Sequence, residues 1–91
     1  MPNESSDMTT QDRELARIRW LCRRGMKELD VLLEAYMERE WPRAPAAERA
    51  AFLRLLECQD PDLWDWLSGR TIPAERELAD VVSRVRQYDS T

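Results

Sequence analysis

Apolar residues recur every three or four positions along most of this chain, separated by short segments rich in proline, glycine and charged residues. This spacing places apolar side chains on one side of an α-helix, and it predicts helices at about residues 11–24, 27–41, 46–58, 61–68 and 73–88. No window shows the period-two alternation of a half-buried strand. The pattern therefore predicts an all-α fold, a small five-helix bundle in a single domain.

The predicted core is formed by the apolar face of each helix. These faces comprise Leu15, Ile18, Leu21 and Cys22; Leu29, Leu32, Leu33, Tyr36 and Met37; Phe52, Leu53, Leu55 and Leu56; Leu63, Trp66 and Leu67; and Leu78, Val81, Val82, Val85 and Tyr88. Gly25 and Gly69 are expected to end the first and fourth helices, because glycine adopts the left-handed conformation without steric strain. Asp60 is expected to be the N-cap of the fourth helix.

The two ends of the chain lack this pattern. Residues 1–11 are polar and contain no basic side chain, which predicts a disordered tail and argues against a secretory or mitochondrial targeting peptide. Residues 12–88 are expected to form the folded domain, and residues 89–91 are expected to fray. Because no stretch approaches the ~20 apolar residues that cross a membrane, we expect a bacterial-type cytoplasmic protein without membrane insertion.

Charge and composition narrow the class of function. The net charge is −4 and the sequence pI is about 4.8, whereas domains that bind duplex nucleic acid are usually basic. The chain has no histidine and two cysteines, Cys22 and Cys58, which excludes a zinc site within one chain and removes the commonest general base. No phosphate-binding loop or nucleophile motif is present. These features indicate a small interaction protein in which both cysteines are structural thiols.

Trp20 does not fit the amphipathic pattern of the first helix. It lies nearly opposite the apolar stripe, on the helical line that carries Arg13, Arg17 and Arg24. Either another helix covers this tryptophan, or it belongs to a binding surface, since Trp and Arg are enriched at binding hot spots. The pattern leaves the roles of Trp41 and Trp64 open.

Two segments resemble the signature of the succinate dehydrogenase FAD assembly factor family. They are residues 17–30, RIRWLCRRGMKELD, and residues 52–67, FLRLLECQDPDLWDWL, and the resemblance extends over about residues 13–88. It implies a five-helix protein that promotes covalent attachment of FAD to the flavoprotein subunit of succinate dehydrogenase. An older description of the same family as antitoxins of toxin–antitoxin pairs is the alternative.

The resemblance also implies a partner-binding surface. The family's R-G-x-x-E motif falls on Arg24, Gly25 and Glu28, and neighbouring family positions complete the set. The implied partner-binding residues are Arg17, Trp20, Arg24, Gly25, Met26, Glu28 and Asp30. Arg19 stands where the family often has histidine, so no imidazole acts at that position here.

The function implied by the resemblance is that of a chaperone rather than an enzyme. No catalytic residue, metal or cofactor is expected in this chain, and FAD belongs to the client flavoprotein, whose own histidine attacks the flavin. The chain would act by binding the client conformer that favours this attack. We expect a monomer, and fumarate reductase is a second client left open. Arg17 and Arg24 are expected to bind client carboxylates or carbonyls, and truncation of Arg24 is expected to leave stability nearly unchanged.

Overall fold

Five α-helices and one short 3-10 helix make up residues 10–88, the part of the chain described by the structure, which is a computed structural model. The helices are α1 (Thr10–Leu21), α2 (Lys27–Arg39), α3 (Ala46–Leu56), α4 (Asp60–Leu67) and α5 (Arg76–Arg86), with the 3-10 helix Trp41–Arg43 between α2 and α3. No strand occurs among residues 10–88. The predicted all-α fold in a five-helix arrangement is confirmed.

The predicted terminal segments fall mainly outside this range. Residues 1–9 of the expected tail and residues 89–91 of the expected frayed end lie outside the described residues. Thr10 and Gln11, the last two residues of that expected tail, belong to α1 instead.

The core is centred on α2. All five predicted positions on its apolar face are buried, namely Leu29, Leu32, Leu33, Tyr36 and Met37. Helix α5 packs against α2, α3 and α4, and α2 also packs against α4. Helix α1 contributes Ile18 and the following Cys22 to the same core. Six of the predicted core positions are only partly buried, namely Leu15, Leu21, Leu53, Trp66, Leu78 and Tyr88. Two residues that the pattern did not single out, Ala51 and Pro73, are buried.

A tyrosine hydroxyl at the core edge joins three helices. The Tyr36 ring stacks on Phe52 with centroids 4.3 Å apart, and its hydroxyl donates to Glu48 Oε2 at 2.6 Å. Glu48 Oε1 also forms an ion pair with Arg84 Nε at 3.3 Å. Burial first, and the hydrogen bond to Glu48 second, raise the pKa of the Tyr36 hydroxyl. The polar group is therefore satisfied where α2, α3 and α5 meet.

Trp41 closes one end of the core. Its ring centroid lies 5.9 Å from that of Phe52, and the Arg49 guanidinium lies 4.9 Å from the Trp41 ring. Arg49 Nη2 also donates a hydrogen bond to the Trp41 carbonyl oxygen, at 2.8 Å. The side chain is half-buried, so packing and a cation–π contact account for a tryptophan whose role the pattern left open.

The first helix ends earlier than its apolar pattern predicts. Helix α1 ends at Leu21 rather than at Arg24, because the Arg23 N–H donates to the Trp20 carbonyl at 3.0 Å and the following backbone turns away. Gly25 therefore lies four residues beyond the helix end, and its expected role as the helix stop is wrong. Arg24 is likewise not on the helical line of Arg17 and Trp20.

The ends of α4 agree more closely with the sequence. Gly69 has a φ of 88°, its N–H donates to the Trp66 carbonyl at 3.1 Å, and the Arg70 N–H donates to the Asp65 carbonyl at 2.8 Å. This pair of bonds is a Schellman closure, so the predicted stop at Gly69 is confirmed. The predicted N-cap is wrong by one residue, because Gln59 occupies that position and Asp60 is the first helical residue.

The two thiols differ in burial. Cys22 is fully buried, Cys58 is partly buried, and both are free. Burial raises the pKa of the Cys22 thiol to about 12 and also raises the pKa of Cys58. Both groups are therefore neutral thiols at physiological pH, as expected of structural cysteines.

We expect the free energy of unfolding to fall as the pH rises from about 9 to about 12. The thiol of Cys22 ionises from pKa 9.0 in the unfolded chain but keeps its proton to about pH 12 in the fold, so rising pH favours the unfolded state. Urea unfolding at several pH values measures this slope. Cys22→Ala should be less stable at neutral pH and show a shallower fall in the same window. Equal slopes for the two proteins would show that ionisation of the Cys22 thiol does not cause the fall in stability.

Candidate functional site

The connection between α1 and α2 turns at Gly25, and we call residues 23–30 the α1–α2 corner. Gly25 has a φ of 87°, a left-handed conformation that residues with a Cβ rarely adopt. A Cβ built at this position would meet no heavy atom within 4 Å. The backbone conformation thus favours glycine at this position, while the space outside it is open to a partner.

Asp30 holds the corner closed from within. Its Oδ1 accepts a hydrogen bond from the Arg24 backbone N–H at 2.6 Å, across six residues of chain. The Asp30 N–H donates to the Met26 carbonyl at 2.9 Å, which forms the first turn of α2. Met26 is the N-cap of α2, makes no side-chain cap bond and packs partly against the core. Asp30, predicted as a partner contact, therefore has an internal role as well.

The Arg24 guanidinium points into the protein and donates to four acceptors there. Nε donates to Asp60 Oδ1 at 2.8 Å, and Nη2 donates to the Cys58 carbonyl at 2.7 Å. Nη1 donates to the carbonyls of Leu21 at 3.0 Å and Leu56 at 2.9 Å. The side chain is only 14% exposed. These four bonds connect the end of α1 to the end of α3 and the start of α4.

This geometry gives the Arg24 guanidinium an internal role, and its contact with a client stays a prediction. A guanidinium carries five N–H donors, and four of them are used within the chain. It has little capacity left to bind a client carboxylate. Truncation of Arg24 is therefore expected to lower the stability of the fold, contrary to the expectation from the sequence.

Arg17 and Trp20 lie on the exposed side of α1. Trp20 is 70% exposed, and none of the described helices covers it. Of the two alternatives for this tryptophan, coverage by another helix is therefore wrong for residues 10–88. Arg17 is also exposed, so a cation and a large aromatic ring both face solvent on this helix. Their contact with a partner stays a prediction.

Glu28 stands beside a groove between α2 and α4. The groove has a volume of about 410 Å³ and is lined mainly by Lys27, Glu28, Val31, Leu32, Trp64, Leu67, Ser68 and Tyr88. Val31 is 54% exposed. Sequence reasoning missed this groove, although an apolar Val31 outside the buried face of α2 was a signal for it. Trp64 lines this groove, which gives a structural role to a residue whose role the sequence pattern left open.

The part of the chain that the structure describes contains neither a cluster of metal-ligating side chains nor a membrane-spanning helix. Among residues 10–88, no three side chains of His, Cys, Asp or Glu lie close enough together to hold a metal ion. Within the same range, no helix combines the length and the apolar character needed to cross a bilayer.

We expect Arg24→Ala to lower the free energy of unfolding by about 1.5–3 kcal/mol, the range for hydrogen bonds to a charged group. The reason is that three carbonyls and one carboxylate lose their donor together. Arg54→Ala is the matched control, because Arg54 pairs with Glu75 on the exposed surface, where an ion pair contributes about 0–1 kcal/mol. Urea unfolding followed by circular dichroism compares the two. Equal losses of stability would show that Arg24 does not connect these helices.

Comparison with known proteins bears on the same region. The Sdh5 family model, described as "Flavinator of succinate dehydrogenase", matches residues 16–89. Three relatives are each described as "FAD assembly factor SdhE". That of Xylella fastidiosa is 42% identical over 73 residues, covering 80% of this chain and 75% of the relative. That of Shewanella oneidensis is 43% identical over 72 residues, covering 79% and 88%. That of Yersinia pseudotuberculosis is 45% identical over 71 residues, covering 78% and 81%.

The matched segment contains the α1–α2 corner, its exposed neighbours on α1 and the residues that Arg24 binds. Both the family model and the three relatives cover most of the chain. The chain belongs to the Sdh5 family of flavinators of succinate dehydrogenase.

Proposed function

We propose that this protein is an FAD assembly factor that binds the immature flavoprotein subunit of succinate dehydrogenase and promotes its covalent flavinylation. The observation that carries the proposal is the α1–α2 corner. At its centre, Gly25 is held in a left-handed conformation with open space outside it, within the segment that matches the family. A glycine backbone that faces open space suits close approach by a partner.

The outward side chains near this corner supply the contacts. Glu28 is exposed on the first turn of α2, and Met26 is partly exposed at its N-cap. Arg17 and Trp20 add a charged group and an aromatic ring on α1. Trp and Arg are enriched at binding hot spots, and Met adapts its shape to a partner. In this proposal, these four residues contact the client, and Arg24 and Asp30 shape the surface that presents them.

The protein acts in this proposal as a chaperone and carries no cofactor of its own. Its sequence contains no histidine that could serve as a general base. Both thiols have raised pKa values, so neither is an activated nucleophile. Flavin attachment is then chemistry of the client, and FAD stays with the client throughout.

The energetic requirement for such a chaperone is small. It must bind the attachment-competent conformer of the client more tightly than other conformers. A tenfold shift in population requires a differential binding free energy of ~1.4 kcal/mol. A single well-placed side chain at a hot spot contributes at least this much.

Further parts of the proposal concern the setting of this activity. The protein acts as a monomer in the bacterial cytoplasm, and fumarate reductase is a second client to be tested. The antitoxin alternative is not supported by the family model or by the three relatives, all of which are described through flavinylation or FAD assembly.

Deletion of the gene should abolish or strongly reduce covalent flavin on the succinate dehydrogenase flavoprotein. In-gel flavin fluorescence of the denatured subunit measures this directly, and the flavoprotein of fumarate reductase can be scored on the same gel. Re-expression of the wild-type chain is the control. Unchanged fluorescence in the deletion strain would refute the proposed function.

We expect Gly25→Arg to keep the helical fold and to lose binding of the unflavinylated flavoprotein. The left-handed backbone costs a residue with a Cβ roughly 1–2 kcal/mol, which a domain of ordinary stability tolerates. The long side chain would fill the open space outside the corner. Circular dichroism measures the fold, and titration calorimetry measures the binding.

Gly25→Ala is the matched control for this variant. Alanine experiences the same backbone strain at φ 87° but adds only one methyl group. We expect it to bind the client at low temperature. If Gly25→Arg unfolds, the role of Gly25 lies in folding, and if Gly25→Arg binds like wild type, the corner is not the interface.

A further inference from the structure

Arg24 has four acceptors, and only one of them depends on the identity of a side chain. Three are the backbone carbonyls of Leu21, Leu56 and Cys58, which any residue at those positions provides. The fourth is the carboxylate of Asp60, 36 residues further along the chain. The sequence-specific part of this contact therefore lies in Asp60, a residue outside the R-G-x-x-E segment.

Asp60 is not the N-cap of α4. Gln59 is the N-cap, and the Asp60 side chain makes its hydrogen bond with Arg24 rather than with the backbone of its own helix. Asp62 supplies a second carboxylate in the same first turn, where a negative charge stabilises the helix N-terminus. The contact with Arg24 is what distinguishes Asp60 from Asp62.

Residue 24 is held from two sides. Its backbone N–H is bound by Asp30 at 2.6 Å, and its guanidinium is bound by Asp60 at 2.8 Å. The next residue is Gly25, whose backbone faces open space. Glycine has the widest conformational freedom of any residue. The hydrogen bonds of Arg24 to Asp30 and Asp60 therefore limit the backbone conformations that the corner can adopt.

We propose that Asp60 is a positioning residue, which fixes the α1–α2 corner in its docking conformation by holding Arg24. This inference rests on the proposed function. It names a residue of the second family-like segment, residues 52–67, that shapes the client-binding surface formed by the first. It also gives a physical reason why the two family-like segments occur together, since the first supplies the arginine and the second supplies its carboxylate. A corner fixed before binding loses less conformational entropy when the client docks.

The test compares Asp60→Ala with Asp62→Ala, because both remove a carboxylate from the first turn of α4 and only Asp60 contacts Arg24. The probe is the unflavinylated flavoprotein subunit of succinate dehydrogenase, titrated by calorimetry at a temperature where all variants are folded. We expect Asp60→Ala to bind about tenfold more weakly than wild type, and Asp62→Ala to bind within about twofold of it.

A spectroscopic measurement separates positioning from a loss of stability or a direct contact. In ¹H–¹⁵N spectra of the free protein, the amide signals of Gly25 and Met26 should shift in Asp60→Ala and stay in place in Asp62→Ala. Asp60→Glu keeps the carboxylate and should recover part of the lost affinity. If Asp60→Ala does not fold, Asp60→Asn removes the charge at nearly constant size and is compared with Asp62→Asn in the same way.

Each outcome of this test has a distinct meaning. If the wild-type chain does not bind the flavoprotein, the proposed function fails. If it binds and Asp60→Ala binds equally tightly, the positioning role is wrong. If Asp60→Ala loses affinity while the Gly25 and Met26 amides do not move, Asp60 contacts the client itself, and the positioning role is again wrong.

Discussion

The hydrogen bonds of the Arg24 guanidinium connect the ends of α1 and α3 to the start of α4. Leu21 is the last residue of α1 and Leu56 the last of α3, so both carbonyls belong to helix ends that lack partners within their own helices. Arg24 supplies donors to both and reaches the first residue of α4 through Asp60. One planar, always-charged group thus satisfies acceptors that lysine, with a single ammonium, could not reach together.

This arrangement divides the R-G-x-x-E segment into an inner and an outer part. Arg24 is largely buried and binds within the chain, whereas Gly25 and Glu28 are exposed. Asp30 belongs with the inner part, because it accepts the Arg24 N–H. A short motif can therefore contain buried residues that shape a surface and exposed residues that form it. Substitution of the buried residues should change the stability or shape of the surface, and substitution of the exposed residues should change binding.

The outer part is continuous with apolar surface on α2. Glu28 borders the groove between α2 and α4, and Val31 is more than half exposed one turn further along the helix. On α1, Trp20 exposes most of its ring. An exposed tryptophan and exposed apolar surface on a neighbouring helix are features of a small protein that binds another.

The sequence by itself determined the five helices, their apolar faces and the closure at Gly69. Each of these depends on residues within a few positions of one another, because helical periodicity and a glycine C-terminus are local properties. Only the tertiary structure decided where α1 ends, that Trp20 is exposed and what Arg24 binds. The acceptors of Arg24 at Leu56, Cys58 and Asp60 lie 32–36 residues away, and no local spacing encodes a hydrogen bond across that distance. Those long-range bonds draw residue 24 away from the helix that its neighbours predict.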